Sequence, residues 1–114
     1  MKCGRILLVH YPFTDDSSAK LRPVLVISQD EYNYGADIVV LPISSSIRQS
    51  DRYTYPINVS DPYFRETGLK RTSHVKWTKP LTIAKQIVVR DLGHLPVSPL
   101  AEIQRKLVSL IGAR

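Results

Sequence analysis

Apolar residues in this chain fall in short runs separated by proline, glycine and polar clusters, the pattern of a strand-rich domain. Arg5 to Tyr11 reads as a first strand that stops at Pro12. A polar loop, Thr14 to Lys20, leads to Pro23-Val24-Leu25-Val26-Ile27-Ser28. That second run is β-branched and almost wholly apolar, so it is expected to be buried on both faces, with Pro23 at its first residue. Asp37 to Ile43 follows the turn-like Asn33-Tyr34-Gly35 as a third strand, and Thr54 to Val59 reads as a fourth. From Ser73 to Thr78 the residues alternate. Ser73, Val75 and Trp77 point inward, and His74, Lys76 and Thr78 share a polar face. A last strand pair is expected through Ile83 and Gln86 to Arg90. The chain then predicts one helix, with Ser98 as N-cap, Pro99 as first helical residue and Gly112 as its end. Leu100, Ile103, Leu107, Leu110 and Ile111 form its apolar stripe. The fold class is therefore mainly β: about five to seven short strands and a C-terminal α-helix. Eight prolines and five glycines favour a barrel or sandwich over a helical bundle.

Length and composition narrow the class. The 114 residues predict a single domain spanning 1–114 with one core. The one cysteine, Cys3, cannot form an internal bridge, which fits a reducing cytoplasm. No apolar run is long enough to span a membrane, and Ile6 to Val9 is too short for a signal peptide. The net charge of +6 is unevenly placed. Residues 1–57 hold six Lys/Arg and six Asp/Glu, whereas residues 58–114 hold ten and four. Arg65, Lys70, Arg71, Lys76 and Lys79 cluster with only Glu66 opposing. Such a cluster attracts a polyanion in a salt-sensitive way, or simply solvates the surface. With Tyr53, Tyr55, Tyr63 and Phe64 beside it, the basic half resembles surfaces that stack and hold single-stranded RNA. Lys20, Arg48, Arg52, Lys70, Arg71 and Lys79 are the RNA-binding candidates.

The chemistry-bearing residues are few. His10, His74 and His94 have no cysteine or carboxylate at ligand spacing, so no metal and no cofactor is expected. There is no phosphate-cradling glycine loop and no nucleophile elbow. Arg22 stands between a polar loop and an apolar strand, held extended by the following proline. A guanidinium there can clamp a phosphate with two parallel hydrogen bonds, or cap the loop through Asp15 or Asp16. Ser44-Ser45-Ser46 ends the third strand, where hydroxyls can donate to a phosphate oxygen or lie in a solvated turn. His74 is the side chain suited to exchanging protons near neutral pH.

These pieces resemble a known family. Gly4-Arg5-Ile6-Leu7-Leu8-Val9, Tyr11-Pro12-Phe13-Thr14-Asp15 and Arg22-Pro23-Val24-Leu25-Val26-Ile27-Ser28 are similar to the N-terminal half of the MazF/PemK toxins. Leu41-Pro42-Ile43-Ser44-Ser45, Gly68-Leu69-Lys70 with Ser73-His74-Val75-Lys76, and Gly93-His94-Leu95 extend the likeness over nearly the whole chain. The resemblance implies an SH3-like β-barrel of the CcdB/MazF type, acting as a homodimer. It implies a metal-independent endoribonuclease that cuts single-stranded RNA at particular sequences. A cognate antitoxin protein would restrain it, and DNA would be bound only through the toxin–antitoxin complex. The substrate's 2′-hydroxyl would attack the adjacent phosphate, giving a 2′,3′-cyclic phosphate and a 5′-hydroxyl.

Carried over by position, Arg22 would bind the scissile phosphate, Ser44 would hydrogen-bond it, and Lys76 stands where some members use an arginine as general acid. Those members place an aspartate base two residues further on, where this chain has Thr78, and a histidine in the first loop, where it has Asp15, Asp16 and Ser17. Proton transfer would then fall to His74, Thr78 or Asp16. The alternatives from other classes are a non-catalytic RNA-binding barrel and a gyrase poison of the CcdB kind.

Overall fold

Strands β1 (Arg5–Tyr11), β2 (Lys20–Val26) and β3 (Asp37–Ser44) form the middle of an antiparallel sheet, because their apolar residues need cover on both sides. A computed structural model of the chain describes residues 1–11, 20–45 and 51–112. In β2, Val24, Leu25 and Val26 are all fully buried, as the run of apolar residues predicts. Each contributes about 1.5–3 kcal/mol relative to an exposed side chain. One face of the sheet packs Ile6, Leu25, Leu41 and Ile43 against Ile103 of the C-terminal helix α2 (Val97–Leu110). The other packs Leu7, Val9, Val24, Val26, Ile38 and Val40 against Ile83.

The second core is enclosed by strands β6 (Leu81–Ala84) and β7 (Val88–His94). These two are joined by a 3-10 turn at Lys85–Ile87 and do not pair with each other as the sequence suggests. β6 pairs with β3 and β7 with β1, so the order β6-β3-β2-β1-β7 curls without closing into a complete barrel. The short strands β4 (Tyr55–Ile57) and β5 (Ser73–Val75) continue the sheet from the far end of β3. Trp77 faces inward as the alternation predicts, at 7% exposure. β5, however, stops at Val75, and Lys76 to Lys79 form a turn closed by Lys79 N–H donating to Lys76 O at 3.2 Å. Thr78 therefore lies in that turn and not on a strand face shared with His74.

Two further expectations are corrected. β2 begins at Lys20, so Pro23 lies inside the strand. It is tolerated because the β2–β3 ladder runs only from Val26↔Val40 to Val24↔Pro42, leaving Pro23 paired on its β1 side alone. The helix starts at Val97, with Pro96 as N-cap and Ser98 inside the first turn. A proline is acceptable anywhere in that turn, where the N–H groups have no helical partner, so Pro99 did not fix the start.

Helix α1 (Phe64–Thr67) was not foreseen. It ends on Gly68 in the left-handed region at φ 73° and is seated on β7 by close backbone contact. A Cβ on Gly68 would lie 2.1 Å from Leu92 O, and one on Gly93 would lie 2.2 Å from Glu66 O. His94 Nε2 also meets Glu66 Oε1 at 3.1 Å. Tyr63, just before α1, has its phenol pushed up to about 12 by burial first and then by Asp61, to which it is hydrogen-bonded. Tyr55 is raised by burial and then by Glu102 of α2.

Gly93→Ala pushes α1 off β7 and is expected to lower stability by roughly 1–3 kcal/mol, read as the denaturant midpoint. An unchanged midpoint contradicts the close packing. The Tyr63 phenol has an ordinary value of 10.0 when unfolded and about 12 when folded. Its contribution is therefore complete below pH 10 and is lost as pH rises from 10 to 12. The urea midpoint should fall through that window, and less steeply in Tyr63→Phe; equal slopes refute the assignment.

Candidate active site

Beyond Val24↔Pro42 the strands β2 and β3 both continue but no longer pair. Pro23 lacks the N–H that the next bond of that ladder would use. The opening is a cavity of ≈ 380 Å³. Leu8, Leu21, Pro23, Ile43 and Leu92 supply its apolar walls. Arg22, Ser44, Lys70, Arg71 and Arg90 supply its polar chemistry. No carboxylate is among the lining residues described.

The register explains why Arg22 and Ser44 meet. Arg22 lies two residues from Val24, and Ser44 lies two from Pro42, so the two share one pleat phase on neighbouring strands. Ser44 is also the direct cross-strand partner of His74. Directly opposed residues have Cβ atoms about 4.5–5.5 Å apart. Arg22, Ser44 and His74 therefore form one row across β2, β3 and β5. His74 Nδ1 is buried without a hydrogen-bond partner among the described residues. Lys76 continues the phase of His74, with its N–H donating to Pro42 O at 2.9 Å. Tyr11 lies near enough for the Arg22 charge to act on it, although burial is the larger effect and raises its phenol.

Lys70 and Arg71 reach the cavity through the loop after α1. Thr67 is fully buried. Its hydroxyl donates to Phe64 O at 2.6 Å and accepts from Leu69 N–H at 3.1 Å. Ser73 Oγ donates to Arg71 O at 2.9 Å. The Gly68–Leu92 and Gly93–Glu66 contacts then fix this loop against β7.

The basic run of the second half is divided by the fold. Of Arg65, Lys70, Arg71, Lys76 and Lys79, only Lys70 and Arg71 line the cavity with Arg22. Arg65 lines a separate hollow with Asp61 and Glu66. Lys79 is exposed in the turn after β5, and Lys20 is exposed at the start of β2 opposite Tyr11. Arg52 belongs to another cavity, of ≈ 750 Å³, beside α2. There its guanidinium lies 5.1 Å from the Tyr53 ring centre, Tyr53 lies 5.7 Å from Trp77, and Lys106 lies 5.8 Å from Trp77. Asp16 and Arg48 fall outside the described residues. Arg90 was missed, and nothing local in the sequence marks it. Only the pairing Leu8↔Arg90 across β1 and β7 brings it to the cavity. Among the described residues there is no group of three or more His, Cys, Asp or Glu able to hold a metal ion, and no helix is long and apolar enough to cross a membrane.

Solved structures share this fold. The Mycobacterium tuberculosis toxin MazF-mt6 superposes with a TM-score of 0.74 at 18% identity, covering 96% of this chain and 98% of its own. An endoribonuclease in complex with its cognate antitoxin, from a mycobacterial species, gives 0.73 at 18%, covering 100% and 95%. MazE-MazF from Deinococcus radiodurans gives 0.74 at 19%, covering 100% and 97%. No curated protein sequence matches the chain. At these identities the superpositions establish the fold alone. A sequence profile of the PemK-like, MazF-like toxins of type II toxin–antitoxin systems matches residues 2–111, and it is to this family that the chain, with its half-open sheet and cation-lined cavity, belongs.

Proposed function

We propose that this chain is an endoribonuclease toxin that cleaves single-stranded RNA at particular sequences and without a metal ion. The observation that carries the reading is Arg22 and Ser44 on the wall of a cavity lined also by Lys70, Arg71 and Arg90 and by no described carboxylate, with His74 the cross-strand partner of Ser44. It is supported by membership of the toxin family and by the fold shared with the mycobacterial endoribonucleases.

In this reading the scissile phosphate sits between Arg22 and Ser44. The neighbouring 2′-hydroxyl attacks phosphorus, the bond to the 5′-oxygen breaks, and the products are a 2′,3′-cyclic phosphate and a 5′-hydroxyl. The 2′-hydroxyl loses one proton and the leaving oxygen gains one. Arg22 presents two parallel N–H donors to the non-bridging oxygens, and the Ser44 hydroxyl donates a third bond. These bonds strengthen as charge builds on the phosphate, and that difference accelerates the reaction. His74, opposite Ser44, is the side chain assigned to proton transfer. Lys76, in phase with His74, adds positive charge but lacks the planar fork of an arginine. Thr78 and Asp16 are not needed as bases. Lys70 and Arg71 hold the flanking RNA, and Lys20, Arg52 and Lys79 act at longer range on the same polyanion. The working unit is taken to be a cytoplasmic homodimer restrained by a cognate antitoxin, the kind of partner that occupies the related mycobacterial endoribonuclease.

The test is incubation of purified protein with mixed-sequence single-stranded RNA in EDTA. Discrete fragments with 5′-hydroxyl ends are expected. Arg22→Ala should slow cutting by about 10²–10³-fold, the cost of losing one donor aimed at developing charge. His74→Gln should slow it by about 10²-fold or more and flatten one limb of the pH–rate profile. Protection of RNA without cutting would make the chain a binder only. Wild-type rates in Arg22→Ala would remove Arg22 from the mechanism.

A further inference from the structure

We propose that Arg90 is a second phosphate-binding residue of this cavity, gripping the RNA phosphate next to the one held by Arg22 and Ser44. The proposal rests on the RNA-cleaving reading above and adds a residue that neither the sequence nor the family match points to.

Arg90 lies on β7 opposite Leu8, and Arg22 lies on β2 opposite Val9, the next residue of β1. The two arginines thus flank the same point of β1 from either side. Two strand spacings put their backbones about 10 Å apart. Both side chains line the one cavity, entering it from strands on either side of β1. The β1–β7 register slips between Leu8 and Val9, and such irregularities re-aim the side chains next to them.

Charge on this side of the molecule is arranged to leave Arg90 available. Its sequence neighbour Asp91 is taken by Arg5, through Nη2 at 2.6 Å and Nε at 3.0 Å. Glu66, on the adjoining α1, is engaged by His94 at 3.1 Å. The Arg90 side chain has no hydrogen bond or ion pair among the described residues. It shares the cavity with Arg22, Lys70 and Arg71 and with no described carboxylate. Four cations around ≈ 380 Å³ repel one another, and apolar walls from Leu8, Leu21, Pro23 and Leu92 strengthen that field. An anion with more than one charge relieves it. A strand of RNA supplies charges in series, one for Arg22 and Ser44 and the next for Arg90.

The measurement is the salt dependence of binding to a 2′-O-methyl RNA, which lacks the attacking hydroxyl, by fluorescence anisotropy between 50 and 300 mM KCl. Each phosphate contact on a single strand contributes about −0.7 to the slope of log K against log salt. Arg90→Ala should reduce the magnitude of the slope by about 0.7. Arg90→Lys should restore it, and Lys85→Ala, which removes a cation outside the cavity, should leave it unchanged. On cleavable RNA, Arg90→Ala should raise KM several-fold with kcat retained. Arg90→Gln gives a second neutral variant should the alanine protein fold poorly. A slope unchanged in both neutral variants overturns the proposal, as does an equal loss in Lys85→Ala. If the wild-type protein neither binds nor cuts RNA, the RNA reading fails with it. If wild type cuts and Arg22→Ala does not, while the Arg90 slope is unaltered, only the role of Arg90 is lost.

Discussion

The site depends on the point at which β2 and β3 stop pairing. Up to Val24↔Pro42 the two strands are locked by a ladder and buried on both faces. Past it they run on as separate walls, because Pro23 has no N–H to offer to β3. A ladder continued by two more residues would set Arg22 against Ser44 as ordinary cross-strand neighbours in a closed sheet. Its interruption leaves both on the rim of a cavity, still held in one pleat phase by the rigid pairing behind them. The same ends that open the cavity therefore keep its two principal groups aligned, as a charged transition state requires.

Electrostatics then gives the opening its sign. The nearby carboxylates are withdrawn from it: Asp91 is bound by Arg5, Glu66 is paired with His94, and Asp61 is hydrogen-bonded to Tyr63. Lys70 and Arg71 are brought in by a loop whose position is set by two glycines pressed against β7 and α1. The cations consequently come from three separate places in the sequence, on β2, the loop after α1 and β7, with the hydroxyl of Ser44 on β3. Folding concentrates a charge that is diffuse along the chain.

How much of this the sequence showed depended on whether the signal was local. β1, β2 and β3 were legible from apolar runs, and the double-sided burial of β2 from its unbroken β-branched stretch. Trp77 was placed inward by alternation alone. The start of α2 was misplaced by two residues because a proline fits several positions of a first turn. α1 is four residues long and is held by tertiary contact with Leu92 and Gly93, so no periodicity announced it. The basic cluster read as one track, but α1 and the turn after Val75 send Arg65 and Lys79 to different surfaces. Arg90 was invisible because its significance lies in a long-range register. Arg22 and Ser44 stood out by their places at a loop–strand junction and a strand end, the family resemblance implied their roles, and the register supplies the reason that they line one cavity.

The central claim is that RNA occupies the cavity where β2 and β3 part. Its most direct test is an amide chemical-shift map of the protein titrated with a non-cleavable 2′-O-methyl RNA. The account predicts the largest shifts at Arg22, Ser44, Ser45, Leu69 to Arg71 and Arg90 to Leu92. Shifts concentrated instead at Arg52, Tyr53 and Glu102 to Leu110, around the cavity beside α2, would contradict it.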